Sequence, residues 1–424
     1  MMPQATAAPP GAASAIEPAI RNAQPALTGY IGLGVLIGCF AVARTGAGFS
    51  GPEGFLQACA VMFLAMAACD VLLYRVYRQP DVGSLRLAWP PSRETVRLLG
   101  DKSAAIALSV ALVLSAYTVF PMYQEAWYQA TFAALIAWLP VVIPCALVYL
   151  VGFHLVTDHR DDSLAQFGRF CLSLGQAGDR ARVRDHLLGL AIKTFFIPLM
   201  VGFGLTDWAH LTTVPVVVDG FRSFFEISYQ LLLLMDVSFG VIGYICCFRL
   251  LNAHVRWPER TAGGWLFCLM CYVPFWQIIN RNFLTYGDGI VWGTVFAEGS
   301  VIYMIWGSAI LLLMAIYALS TVSFGYRFSN LTYRGVVCTG PYRFARHPAY
   351  LSKNLSYWMI EMPVLGASFG SAVAGTLALL LVNLIYLMRA RYEERCCLQH
   401  EDYRIYHARF GRRAPVRPDG VTRS

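Results

Sequence analysis

The chain alternates long apolar stretches with shorter polar ones, and the apolar stretches are of membrane-crossing length. A helix needs roughly 20 mostly apolar residues to cross a hydrocarbon core. Such segments recur near 27–43, 54–77, 103–123, 127–153 and 187–205. Others lie near 224–248, 264–280, 300–324, 349–363 and 369–388. No charged residue falls between Glu298 and Arg327, or between Glu361 and Arg389. The 349–363 segment is short for a full crossing and reads as a tilted or re-entrant arm of a hairpin. The pattern predicts an all-α, polytopic transmembrane helical bundle of about ten spans.

The basic residues provide an independent test. With the N-terminus in the cytoplasm, the segments 1–26, 75–102, 155–186, 249–263, 325–353 and 389–424 share one side and hold 29 of the 33 Lys and Arg residues. The other side holds Arg44, Arg222 and Arg281, and Lys193 lies inside a span. That asymmetry is the positive-inside pattern, and it predicts that both termini are cytoplasmic.

Composition narrows the class further. Of 424 residues, 57% are apolar and only 14% charged, against about 25% charged in a soluble domain. An ordinary soluble protein is excluded, as is disorder outside the ends. The net charge of +8 is explained by membrane orientation rather than by nucleic acid. The Ala/Pro-rich residues 1–26 read as a disordered tail; Ala41-Val42-Ala43 mimics a cleavage site, but the tail is long for a signal n-region. Most of the twelve cysteines sit in apolar runs and read as buried thiols. Cys268 and Cys271 form a CxxC without a second Cys/His pair at metal spacing, so no metal site is expected. Thirty Arg against three Lys suggests a GC-rich bacterial source, and hence a bacterial inner membrane.

Polar density is concentrated in two places. Ser329 to Asn354 reads SNLTYRGVVCTGPYRFARHPAYLSKN, and Arg389 to Tyr406 reads RARYEERCCLQHEDYRIY. They bracket the 349–363 and 369–388 hairpin, so the topology carries both to one membrane face. Gly340-Pro341 makes a turn, and Pro348 suits the first position of a helix. The free N–H groups at that helix start suit an anionic group. Tyr342 and Tyr350 supply rings and hydroxyls, while Arg343, Arg346 and His347 supply cationic or switchable donors. Glu393 and Glu394 add carboxylates able to hold an ammonium or ribose hydroxyls.

GPYRFARHPAY, followed by an apolar hairpin and an EE-containing helix, resembles the integral-membrane methyltransferases, the group of isoprenylcysteine carboxyl methyltransferase and the phospholipid N-methyltransferases. The resemblance covers about 300–410. It implies S-adenosylmethionine as cofactor, held by Tyr342, His347, Pro348, Ala349, Tyr350 and either Glu393 or Glu394. It also implies substrate contact by Arg389, four residues before Glu393; Arg346 is the other cation able to hold a carboxylate acceptor. The expected reaction is methyl transfer to a lipophilic acceptor entering from the bilayer, with a carboxylate favoured over an amine. On this reading the chain divides into the tail at 1–26, a helical region of open role at 27–298, a methyltransferase core at 299–410 and a basic tail at 411–424.

Several residues stand outside that core. Asp70, Lys193, Glu226, Asp236 and Glu361 lie in or at the edges of spans, where ionisable groups are costly. Pairing of Asp70 or Asp236 with Lys193 is the structural expectation, whereas Glu361 would line a substrate passage. Asn383 and Gln277 are expected to bond between helices. The 155–186 segment, with five Arg and five Asp, reads as a solvated loop. Rival readings are an NADPH-dependent sterol-reductase-like enzyme, which would carry RHxNY rather than RHPxY, a transporter, for which no internal repeat is found, and a non-catalytic scaffold.

Overall fold

A computed structural model describes residues 25–79, 81–83, 85, 89–157, 161–214, 217–279 and 290–410. The expected tails 1–26 and 411–424, apart from Pro25 and Ala26, lie outside the described residues, as does Arg281. The chain is built from helices α1 (Ala26–Thr45), α2 (Glu53–Leu72), α3 (Arg93–Val119), α4 (Ala126–Ala137), α5 (Leu139–Val156), α6 (Ser163–Leu172), α7 (Arg180–Thr213) and α8 (Phe221–Ile245). Then follow α9 (Ala262–Leu269), α10 (Phe275–Ile279), α11 (Trp292–Val295), α12 (Val301–Phe324), α13 (Pro348–Glu361), α14 (Phe369–Cys397) and α15 (Glu401–Ala408). Among the described residues, eight helices are long and apolar enough to cross a membrane: α1, α2, α3, α5, α7, α8, α12 with the turn that follows it, and α14.

Three of the expected spans take a different form, and proline accounts for two of them. The 127–153 stretch is split at Trp138, where Pro140 stands at the start of α5, a position that proline favours because its missing N–H needs no partner there. The 264–280 stretch becomes the short helices α9 and α10, separated around Val273-Pro274; a residue before proline is pushed out of helical geometry. The third, α13, has only 14 residues.

The short pieces nevertheless carry the chain from one end of the bundle to the other. Pro258 pairs with Thr332 beyond the C-terminal end of α12. Trp292 packs on Phe225 and Tyr303, at the starts of α8 and α12. Helix α13 runs back along α12, since Trp306 Nε1 donates to Met359 O (2.9 Å) and Ser356 touches Met314.

The largest core cluster joins α1, α2, α7 and α8 to the end of α12 through Phe55, Met62, Met66, Phe196, Trp208, Tyr244 and Tyr326, all essentially buried. Small residues allow close approach here, as is usual between membrane helices. A Cβ on Gly29 would fall 1.9 Å from Val322 O, and one on Gly243 would fall 2.0 Å from Phe328 O.

The reading of 155–186 as a solvated loop is overturned. It contains α6, capped by Asp162, which accepts from Ala165 N (3.1 Å). Asp162 also pairs with Lys102 at 2.7 Å, and that lysine side chain is only 2% exposed. Arg169 pairs with Asp101. Asp162 and Arg169 thus seat the amphipathic helix α6 on α3.

The buried-charge pairing also differs from expectation. Asp70 accepts from the hydroxyls of Thr28 and Tyr326. Asp236 accepts from Tyr317 Oη (2.6 Å) and Thr321 Oγ1 (2.5 Å). Neither aspartate pairs with Lys193: a hydroxyl satisfies a carboxylate without bringing a second charge out of water. Asn383 donates to Leu379 O of its own helix (2.8 Å) rather than across to another. Glu226 forms an exposed i,i+4 pair with Arg222 (3.0 Å).

Candidate active site

The segment after α12 creates the site's first wall. A two-residue antiparallel ladder joins β1 (Trp257–Pro258) to β2 (Thr332–Tyr333), with Trp257 opposite Tyr333. The guanidinium of Arg334 fixes the turn from inside: its Nε donates to Ala253 O (2.8 Å) and its Nη1 to Gly243 O (2.5 Å) and Phe328 O (3.2 Å). Asn330 gives its Nδ2 protons to Tyr244 Oη (2.6 Å) and Tyr272 Oη (2.8 Å). Its Oδ1 accepts from Arg389 Nη2 (2.5 Å).

The second wall is the start of α13. Pro348 sits at the first helical position after His347, and no side chain caps that terminus. A helix start leaves amides without intrahelical acceptors, so the Ala349 and Tyr350 N–H groups remain available at the cavity wall.

The third wall is the C-terminal half of α14, which continues past the apolar arm expected at 369–388 for about two further turns. Helical spacing places Tyr386, Arg389, Glu393, Cys396 and Cys397 on one stripe, and all of them line the same cavity. Arg389 is buried, 3.5 Å from Glu393 one turn on, and lies over the rings of Tyr272 (5.5 Å) and Tyr350 (5.0 Å). Helix α15 closes the end: Tyr406 Oη donates to Tyr342 O (2.9 Å), and His400 stacks on Tyr333 at 3.9 Å.

The cavity measures about 170 Å³. Tyr342, Arg346, His347, Ala349, Tyr350, Arg389 and Glu393 all line it, so the two polar segments expected to meet do meet. The two glutamates have separate tasks. Glu393 faces the cavity and accepts from Tyr350 Oη. Glu394, one residue on and turned away by the helix, lies behind the wall. Its Oε1 holds Arg346 Nη1 (2.6 Å) and His347 Nε2 (3.0 Å). Arg346 Nη1 also donates to His407 Nε2 at 2.5 Å.

Glu361 does not line the cavity. It stands in the last turn of α13, 13 residues from Pro348 and thus about 20 Å away along the axis. It does not share the site with the other residues singled out.

Residues that the sequence reading passed over complete the lining: Glu259, Tyr272, Tyr317, Asn330, Arg334, Lys353 and Tyr403. Asn330, Arg334 and Lys353 were visible within the polar stretch at 329–354, but nothing in the string distinguishes a clip from a ligand. Tyr272 lies in an apolar run and carries no such signal.

Burial holds the imidazole of His400 down to about 4, with help from the nearby Arg256 charge. His254, buried among Arg249, Arg256 and Arg334, is held down to about 2. Both are therefore neutral at physiological pH.

The site can hold an anion at the uncapped helix start, stack a flat group among tyrosines, and accept donors on the Glu393 carboxylate. The chain matches no protein-family model, no curated protein and no solved structure.

Proposed function

We propose that this protein is an S-adenosylmethionine-dependent methyltransferase acting on a lipophilic acceptor within the membrane, with a carboxylate acceptor favoured over an amine. The observation that carries the reading is the convergence of Tyr350 with Glu393, and of Arg346 and His347 with Glu394, around one cavity. Those contacts join the two motif segments that resemble the membrane methyltransferases.

The residues present suit the cofactor. The amides at the start of α13 suit its carboxylate, and the rings of Tyr342, Tyr403 and Tyr406 suit stacking. Glu393 suits an ammonium or ribose hydroxyls. Bound there, S-adenosylmethionine would supply an electrophilic methyl group on a sulfonium.

The protein's part is to align the acceptor and exclude water. Glu394 positions Arg346 and His347 from behind. A carboxylate acceptor becomes a neutral ester without releasing a proton, so no base is needed. An amine acceptor would have to lose a proton to a carboxylate such as Glu393. The cationic lining, which includes Arg346, Lys353 and Arg389, supports the anionic acceptor. By the distribution of basic residues the cavity faces the cytoplasm of a bacterial inner membrane, and the acceptor arrives from the bilayer.

Calorimetric titration of the purified protein with S-adenosylhomocysteine, beside NADPH, tests this. Micromolar binding of the nucleoside, weakened about tenfold or more by His347→Ala, is the expected result. Binding of NADPH alone would move the protein to the reductases.

A further inference from the structure

The cations around the cavity are unequally occupied. Arg334 is consumed by backbone carbonyls. Arg346 is held by Glu394 and His407, and Arg389 by Asn330 and Glu393. Arg327 is buried beside Tyr326, whose hydroxyl binds Asp70. Lys353 differs from all of these. It projects from the second turn of α13 into the cavity lining, and its Nζ rests over the face of Tyr317 at 4.7 Å. No carboxylate of the described residues lies within ion-pair distance of that ammonium. The nearest acidic influence is Asp236, whose two oxygens already accept from Tyr317 and Thr321.

A lysine at this depth is costly. A ring face repays only part of that cost. Lys353 lies six residues along α13 from His347, about 9 Å deeper into the bundle. Around it the lining turns aromatic and apolar, with Cys271, Tyr272, Tyr317 and Tyr386.

We infer that Lys353 is a binding residue for the head group of the acceptor, and that the acceptor is a single-chain amphiphile bearing a carboxylate. The inference rests on the reading of this cavity as an acceptor site and adds which group selects the acceptor. Three N–H donors on a point charge, with no carboxylate of the described residues within ion-pair distance, suit one small anion. The aromatic surroundings suit the carbon chain that delivers it. Conversion of the carboxylate to an ester removes the charge Lys353 holds, so the product leaves the lysine without a partner and is released. Because the contact is strongest before methyl transfer, it governs substrate affinity rather than the chemical step.

The test uses the full chain in lipid nanodiscs, titrated with decanoate, methyl decanoate and decylamine, with and without S-adenosylhomocysteine. Empty nanodiscs serve as the reference. Expected are saturable binding of decanoate alone, affinity reduced at least tenfold by Lys353→Gln and kept within about threefold by Lys353→Arg, and nucleoside affinity unchanged in both variants. Decanoate binding that Lys353→Gln leaves intact, decylamine bound equally well, or no saturable decanoate binding would each overturn the inference. If Lys353 only balances Asp236, Lys353→Gln lowers the melting temperature without changing decanoate affinity, and adding Asp236→Asn restores it. Failure of nucleoside binding sinks the methyltransferase reading separately, because the dependence on Lys353 is read without the nucleoside too.

Discussion

At the residue scale, neighbouring side chains of the same type do different work because of the face they occupy. Glu393 and Glu394 are adjacent in sequence, but about 100° of helical rotation puts one on the cavity and the other on Arg346 and His347. The buried histidines have a consequence for pH. An imidazole ordinarily titrates near 6.5, and His400 is held down to about 4 in the folded protein, chiefly by burial. Its contribution to stability is therefore present above about pH 6.5 and is lost as pH falls toward 4. His254 adds to this in the same direction. The melting temperature is expected to drop between pH 7 and pH 4.5, and to drop less in His400→Phe, which keeps a ring against Tyr333. An identical drop in the variant would show that His400 is not a source of the acid sensitivity.

At the element scale, the site depends on how closely the 328–334 segment approaches α8. Gly243 allows that approach, and its carbonyl also takes Arg334 Nη1. A methyl group at Gly243 would meet the Phe328 carbonyl, a backbone atom with no flexible end to move. Gly243→Ala is expected to destabilise the protein by about 2 kcal/mol, within the 1–3 kcal/mol typical of overpacking, and to weaken nucleoside binding as the wall shifts. Thermal unfolding with calorimetry on the same sample measures both; an unchanged melting temperature would show that the segment can move away freely. A change at Gly34, where a Cβ would meet nothing, is the control.

This scale also shows why some elements were legible and others were not. The long helices α1, α2, α7, α8, α12 and α14 could be read because a single residue class repeats over their length. The breaks at Trp138 and Val273-Pro274 fall inside equally apolar runs, where hydropathy does not respond to one proline. Helix α6 was missed for the opposite reason: its segment is so charged that the pattern looks like solvent exposure, and only the tertiary contacts of Lys102 and Arg169 reveal that the charges are paired.

At the scale of the whole molecule, the two ends of the bundle can be assigned residues. One end gathers β1, β2, the 340–347 turn and α15 around the cavity. The other joins Arg44 to the carbonyls that close α7 (2.8 Å to Val214 O) and Arg222 to Glu298. Basic residues crowd the first end, which is the end the positive-inside rule expects in the cytoplasm. Alkaline phosphatase, active only when exported, is expected to be active when fused after residue 47 or 299 and inactive after 174 or 410. Activity after 410 would overturn the expected orientation and with it the proposed cytoplasmic supply of a cofactor. The same scale gives α1 and α2 a physical task, since they meet the turn after α12 at Thr28, Asp70 and Tyr326, directly behind the cavity wall.

The sequence by itself determined the membrane class, the helical architecture, the distribution of charge between the two ends and the pair of polar segments worth watching. Each of these is recorded locally, in runs of similar residues or in short strings with turn and cap chemistry. Only the tertiary structure decided which residues of those strings face the cavity and which are clips. Arg334, Arg346, Lys353 and Arg389 are alike as cations in the sequence, yet the first ends on backbone carbonyls, the second on Glu394, the fourth on Asn330 and Glu393, and Lys353 on the face of Tyr317. A side chain's role depends on whether its partners are already satisfied, and those partners come from helices distant in sequence, so three-dimensional packing sets it.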